Sequence, residues 1–133
     1  TSEQCLSLMD KLQQQSTYFK ETGGGHNAAL CTVDDLIVTR TDIGRHNTLD
    51  KLYGYILENR VPLQDKVIAF SGRISSEVIL KISKIGVGIL ISKSAPTDLA
   101  LRLAEDLNIT TVGFVRRRKM NVYTHPHRIT DII

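Results

Sequence analysis

The sequence predicts an α/β fold, a three-layer α/β/α sandwich around a mixed sheet, on three observations. Two short runs, Val67-Ile68-Ala69-Phe70 and Val87-Gly88-Ile89-Leu90-Ile91, are apolar on both faces, as strands covered on both sides must be. Each is followed by a helical pattern of about a dozen residues, the alternation that joins parallel strands by crossovers. Ahead of them, two strand-like runs flank Asp34-Asp35 and read as an antiparallel hairpin. A hairpin followed by crossovers makes the sheet mixed.

The elements follow in order. Residues 2–18 form a helix, with Leu6, Met9, Leu12 and Gln13 at helical spacing, Ser2 as cap and Glu3 in the first turn. Gly23-Gly24-Gly25 ends it. His26 to Val33 and Leu36 to Arg40 are the hairpin strands. A helix then runs from the 42–51 junction to about Asn59, where Pro62 prevents its extension. The strand at 67–70 leads to a helix over 75–84, and the strand at 87–91 to a helix over 97–108. Thr110 to Val115 is the last parallel strand, and Val122-Tyr123 pairs with it across an Arg117-Arg118 turn.

A chain of 133 residues is one domain over 1–133, long enough to bury a core. It has no apolar run of about 18 residues, so no membrane span is expected. Thr-Ser-Glu-Gln at the start shows no signal-peptide pattern. Starting on Thr1 rather than Met suggests an excised fragment or a processed chain. Cys5 and Cys31 cannot build a disulfide framework and fit two plain thiols in a reducing, cytoplasmic setting. The net charge of +3 is mild but uneven, with Arg116, Arg117, Arg118 and Lys119 consecutive and His125, His127 and Arg128 following. A local basic cluster on a near-neutral domain points to a discrete anionic ligand rather than a nucleic-acid track.

The densest polar stretch is Asp42-Ile43-Gly44-Arg45-His46-Asn47-Thr48-Leu49-Asp50-Lys51, between a strand and a helix. Parallel strands place their carboxyl ends on one edge, where open α/β sheets bind ligands. Three strands end in polar or small-residue turns: 42–46, Ser71-Gly72-Arg73 and Ser94-Ala95-Pro96-Thr97. Each turn opens a helix whose free N–H groups attract anions. Ser71, Ser75, Ser76, Ser94 and Thr97 add hydroxyls, and Arg45 and Arg73 add forked donors matched to phosphate. Ser75 and Thr97 are equally well read as plain N-caps. Gly72 either lets a ligand approach the backbone or takes an unusual dihedral.

Other chemistries lack their residues. There is no Cys-x-x-Cys and no P-loop, and Gly23-Gly24-Gly25-His26 follows a helix rather than a strand, so it is no dinucleotide fingerprint. The four histidines are spread over loops, which argues against zinc. Cys31 sits mid-strand beside Ala28, Ala29 and Leu30, a core thiol rather than a nucleophile, and Cys5 has no basic neighbour in sequence.

Six motifs in one order carry a resemblance. They are Thr22-Gly23-Gly24-Gly25-His26 with Ala28, the decapeptide 42–51, Ser71-Gly72-Arg73-Ile74-Ser75, Ser94-Ala95-Pro96-Thr97, Val112-Gly113-Phe114-Val115-Arg116 and Asn121-Val122-Tyr123-Thr124-His125-Pro126. Across about residues 20–129 the chain resembles the formate dehydrogenase accessory sulfurtransferase family, FdhD/NarQ. The resemblance implies a cytidine deaminase-like fold. It also implies a role in passing sulfur from a cysteine desulfurase to the molybdenum (or tungsten) bis-molybdopterin guanine dinucleotide cofactor before insertion into formate dehydrogenase. A cytoplasmic homodimer is implied too, with a guanine nucleotide as a mimic of the cofactor. Carried over by motif, the cofactor segment falls on Phe114, Val115, Arg116, Arg117, Arg118 and Lys119. Arg45, His46, Ser71, Gly72, Arg73 and Ser94 are assigned to the same pocket.

The chain departs from the family pattern twice. The family bears sulfur on a Cys-x-x-Cys loop just upstream, together with a smaller N-terminal domain, and neither is present in these residues. The chain is thus expected to be the C-terminal domain alone, binding cofactor without transferring sulfur. The family also usually has glycines at Arg117-Arg118, so a tight positive-φ hairpin is disfavoured and another or longer turn is expected there. The zinc-deaminase motif is missing, since Asn27-Ala28 follows His26 and no cysteine pair comes later. Two other readings stay open. One is an interaction module docking to the desulfurase or the apo-dehydrogenase. The other is an autonomous hydrolase or transferase, with His46 beside Asp42 and Asp50 as base but no Ser or Cys placed as partner.

Overall fold

The computed structural model describes residues 1–17, 26–42, 44–116 and 119–130. In chain order the elements are α1 (Ser2–Thr17), β1 (His26–Cys31), β2 (Leu36–Asp42), α2 (Arg45–Asn59), β3 (Val67–Phe70), α3 (Ser76–Ile85), β4 (Ile89–Ser92), α4 (Asp98–Asp106), β5 (Thr110–Arg116) and β6 (Lys119–Thr124). The strands form one sheet in the order β2-β1-β3-β4-β5-β6. β3, β4 and β5 are parallel, whereas β1 is antiparallel to both β2 and β3, and β6 is antiparallel to β5. The expected α/β/α sandwich with a mixed sheet is the fold observed.

Strand alternation divides the core in two. Ala28, Leu30, Ile68, Phe70 and Leu90 face α2, α3 and α4, where they meet Leu49, Leu52, Ile56, Val78, Ile79 and Ile82. Ala29, Cys31, Ala69, Ile91 and Val112 face α1, which covers them with Cys5, Leu8, Met9 and Leu12. These four lie at i, i+3, i+4 and i+7, so the buried stripe of α1 is rotated from the one expected through Leu6 and Gln13. The α1 cap also differs, because Thr1 Oγ1 accepts from Gln4 N at 3.2 Å. The hairpin turn is tied to the same helix: Gln4 Nε2 donates to Asp34 Oδ1 (3.1 Å) and Lys11 Nζ to Asp34 O (2.7 Å).

Helix ends obey local chemistry. α2 stops with Arg60 in the left-handed region (φ 51°) ahead of Pro62, and α3 stops at Gly86 (φ 99°), whose N–H donates to Ile82 O at 2.9 Å. β1 is shorter than the expected 26–33. Its pairing shifts between Leu30 and Cys31, and Thr32 Oγ1 then accepts from the N–H groups of Asp34 and Asp35, which turns the chain.

The main correction is topological. The strand before the 42–46 junction is not paired with its parallel neighbours, because β1 lies between it and β3. Two antiparallel steps still restore its direction. The carboxyl ends of β2, β3, β4 and β5 and the amino ends of β1 and β6 therefore share one edge.

Leu8, which is 1% exposed, plugs the α1 layer onto the sheet. Leu8→Ala is expected to lower the unfolding free energy by about 2–5 kcal/mol, measured by urea denaturation; a loss below about 0.5 kcal/mol would mean α1 does not hold that face.

Candidate functional site

The shared edge is built outward from β1. Asn27 N donates to Ser71 Oγ and Ser71 N to Asn27 O, both at 2.9 Å, which locks the start of β1 to the end of β3. Thr41 Oγ1 donates to Asn27 Oδ1 at 2.6 Å, and Thr48 Oγ1 lies 3.2 Å from His26 O and 3.0 Å from Gly44 O. On the other side Ser92 Oγ donates to Gly72 O (2.8 Å), Ser94 Oγ to Ser71 O (3.0 Å) and Phe114 N to Ser94 O (3.3 Å). A parallel bridge between Ile74 and Pro96 continues the β3–β4 pairing into the loops. The start of α2, the turns after β3 and β4 and the end of β5 are thus stitched into one rim.

The start of α2 is organised by Asp42. Its carboxylate accepts from Gly44 N at 3.0 Å and pairs with Lys51 Nζ at 2.8 Å. The Lys51 hydrogen bond, followed by the Gly44 N–H, holds this carboxyl below the usual carboxylate value. α2 has Gly44 as N-cap with no side-chain cap, which leaves its first-turn N–H groups free of that competition. α3 and α4 are capped: Ser75 accepts from Val78 N (3.3 Å) and Thr97 from Ala100 N (3.1 Å). The capping reading of Ser75 and Thr97 is therefore the observed one.

The expected site residues divide by what their side chains do. Arg45 is half-buried and Arg73 exposed on this rim, and neither has a hydrogen-bond or ion-pair partner among the described residues. Lys119, at the start of β6, is exposed and likewise unpaired. His46 Nε2 lies 3.1 Å from Glu77 Oε2 on α3, and its Nδ1 is enclosed without a partner. The Ser71 and Ser94 hydroxyls are engaged within the rim.

Gly72 is buried and is not among the positive-φ glycines, so the unusual dihedral expected for it is not observed. A Cβ there would fall 2.8 Å from Phe70 Cζ and 3.2 Å from His26 Nδ1, so the missing side chain makes room for the Phe70 and His26 rings. Val115 is a core side chain under α1, leaving only its backbone for a ligand. Phe114 is in the left-handed region (φ 53°) where the β5–β6 register shifts. Val112 and Val115, three apart, consequently both face α1. Arg117 and Arg118 lie outside the described residues, as does the side chain of Arg116, so the expected turn type there does too.

Sequence reasoning missed three rim residues. Lys93, between Ser92 and Ser94, is a fourth unpaired cation at a strand end, and strand-end logic applied evenly would have included it. Asn27 reaches the rim only because of where β1 sits. Glu77 matters only through a contact between two helices. From β2 to β5 the rim crosses four strand spacings, about 19 Å at ~4.8 Å each. That length suits an extended ligand with several anionic groups.

The opposite edge is different. A hollow of about 570 Å³ lies there among Leu63, Asp65, Lys66, Val67, Gly88 and Arg128. Arg128 Nη1 is committed to Gly88 O (3.1 Å), Asn108 O (2.7 Å) and Thr110 Oγ1 (3.1 Å), so this guanidinium is a strut between loops. Both cysteines are buried, and burial pushes the Cys31 thiol up to about 12. Neither is a poised nucleophile.

A family model described as the FdhD/NarQ family matches residues 1–130. The chain belongs to the FdhD/NarQ family. It is 66% identical over 129 residues to the sulfur carrier protein FdhD of Halalkalibacterium halodurans, covering 97% of this chain and 48% of that protein. Against the sulfur carrier protein FdhD of Bacillus subtilis it is 63% identical, covering 97% and 49%. Among solved structures, a crystal structure from Desulfotalea psychrophila, assigned as a formate dehydrogenase accessory protein, superposes with a TM-score of 0.86. The two are 31% identical, over 94% of this chain and 54% of that one. The chain spans about half the length of the curated FdhD relatives it matches.

Two predictions test this site. The folded-state pKa of Asp42 lies below its unfolded value, so its stabilisation is present above about pH 4 and is lost as pH falls through the folded pKa. Asp42→Asn should accordingly lower stability at neutral pH, with the gap to the native protein closing on acidification; a gap that widens below pH 4 would contradict the assignment. For the thiols, native protein at pH 8 should resist iodoacetamide at Cys5 and Cys31 and react at both after denaturation, read by mass spectrometry.

Proposed function

We propose that this chain is the cofactor-binding part of a sulfur carrier that serves formate dehydrogenase maturation, corresponding to the C-terminal domain of its longer relatives. Its substrate is the molybdenum or tungsten cofactor in its guanine dinucleotide form, whose metal receives sulfur delivered from a cysteine desulfurase. The observation that carries this reading is the row of cations unpaired among the described residues, Arg45, Arg73, Lys93 and Lys119, along one edge of a member of the FdhD/NarQ family. The donor set fits such a ligand. Phosphates take guanidinium and ammonium donors, and the uncapped start of α2 adds backbone N–H groups. Ser71, Ser94 and Asn27 hold the turns in register so that these donors act together.

Sulfur transfer needs an accessible thiolate, and Cys5 and Cys31 are both buried. The sulfur-bearing cysteine of the working protein is accordingly assigned outside these 133 residues. Within the chain, the rim residues bind and orient the cofactor and do not carry sulfur.

Titration calorimetry should give micromolar or tighter binding of GDP, falling as salt rises because phosphate contacts dominate. Arg73→Ala and Lys93→Ala should each weaken it about tenfold, close to 1.4 kcal/mol. No GDP binding, or binding indifferent to both substitutions, would remove this edge as the cofactor site.

A further inference from the structure

We propose that Glu77 is the residue through which the rim reads the guanine base, its carboxylate accepting hydrogen bonds from N1–H and the exocyclic amino group. The inference rests on the guanine-nucleotide reading above and adds a residue to it.

Glu77 is an anomaly on this edge. Its side chain is 70% exposed, in the first turn of α3, and a carboxylate among phosphate-binding groups repels phosphate. Asp42 holds Lys51 and Gly44 N–H, and Asp50 pairs with Lys81 Nζ at 2.6 Å, while Asp98 in the first turn of α4 is exposed with no ion pair among the described residues. Glu77 is anchored differently. Oε2 lies 3.1 Å from His46 Nε2, an ion pair when the imidazole is protonated, while Oε1 has no partner among the described residues. His46 Nδ1 is enclosed without a hydrogen-bond partner among the described residues. The Nε2–Oε2 contact joins α2 to α3 and places the carboxylate at their junction.

Its neighbours in sequence complete the pattern. Arg45 precedes His46, and Arg73 comes just before the Ser75 cap, so each side of the His46–Glu77 contact has a nearby arginine in sequence that is unpaired among the described residues. Guanine presents acceptors, O6 and N7, on one side, and these match a guanidinium fork. On the adjoining side it presents donors, N1–H and N2–H2, which match a carboxylate. Adenine reverses the pattern, turning an amino group toward arginine and a lone pair toward the carboxylate. A site of this composition disfavours adenine by leaving the guanidinium and the carboxylate without matching groups on the base.

The test is calorimetry on the full chain with GDP, IDP and ADP at one salt concentration. The native protein should favour GDP over ADP at least tenfold, and over IDP, which lacks the N2 amino group, several-fold. Glu77→Gln should collapse the GDP/ADP ratio toward one while leaving ADP affinity within about twofold, and Asp98→Asn, in the first turn of α4, should keep the native ratio. A native GDP/ADP ratio in Glu77→Gln overturns the inference and leaves the nucleotide site standing. Equal affinity of the unsubstituted protein for GDP and IDP overturns it without reliance on any variant. Failure of the unsubstituted protein to bind all three nucleotides would instead defeat the cofactor reading itself, and the base-reading role with it.

Discussion

Everything on the functional edge depends on β1 running antiparallel between β2 and β3. The reciprocal Asn27–Ser71 hydrogen bonds at 2.9 Å clamp that arrangement at its open end. Thr41 and Thr48 extend the clamp to β2 and α2. Ala28 and Ala29, both fully buried, make the insertion possible, because small side chains let helices approach this strand from either face. Without β1 in that place, the junction bearing Arg45 and His46 would have no fixed relation to the turn bearing Arg73.

Once the edge is assembled, its charge distribution separates function from folding. Carboxylates neutralise cations where the fold needs it, as Asp42 does for Lys51, Asp50 for Lys81 and Asp35 for Lys11. Along the rim, by contrast, Arg45, Arg73, Lys93 and Lys119 are left without acids among the described residues. Spread over five strand spacings, about 24 Å, and at least partly open to solvent, these cations repel one another weakly, so the fold tolerates them. Phe114 adopts a left-handed backbone conformation, which costs a non-glycine residue on the order of 1 kcal/mol and is typical of ligand-binding segments.

Much of the fold was legible in the chain because it is encoded by short-range periodicity. The apolar runs at 67–70 and 87–91, the helices between them and the left-handed stop before Pro62 are local patterns, read one element at a time. Side-chain packing was not legible where it depends on how elements fold onto one another. Gly72 takes no unusual dihedral, and a Cβ there would meet the Phe70 and His26 rings. Val115 belongs to a family motif, but the bulge at Phe114 turns its side chain into the core. The stripe of α1 is rotated because the sheet face it covers, and not its own periodicity alone, selects which residues are buried.

By itself the sequence determined the kinds of elements, their order, the absence of an activated thiol pattern and the presence of polar turns after strands. These follow from residue types and spacings that act within a few positions. Only the tertiary structure decided that β1 separates β2 from β3, that Asn27 joins Ser71, and that His46 on α2 meets Glu77 on α3. Strand order and helix-to-helix contacts are set by how whole layers pack, a free-energy balance over dozens of side chains that no local window contains.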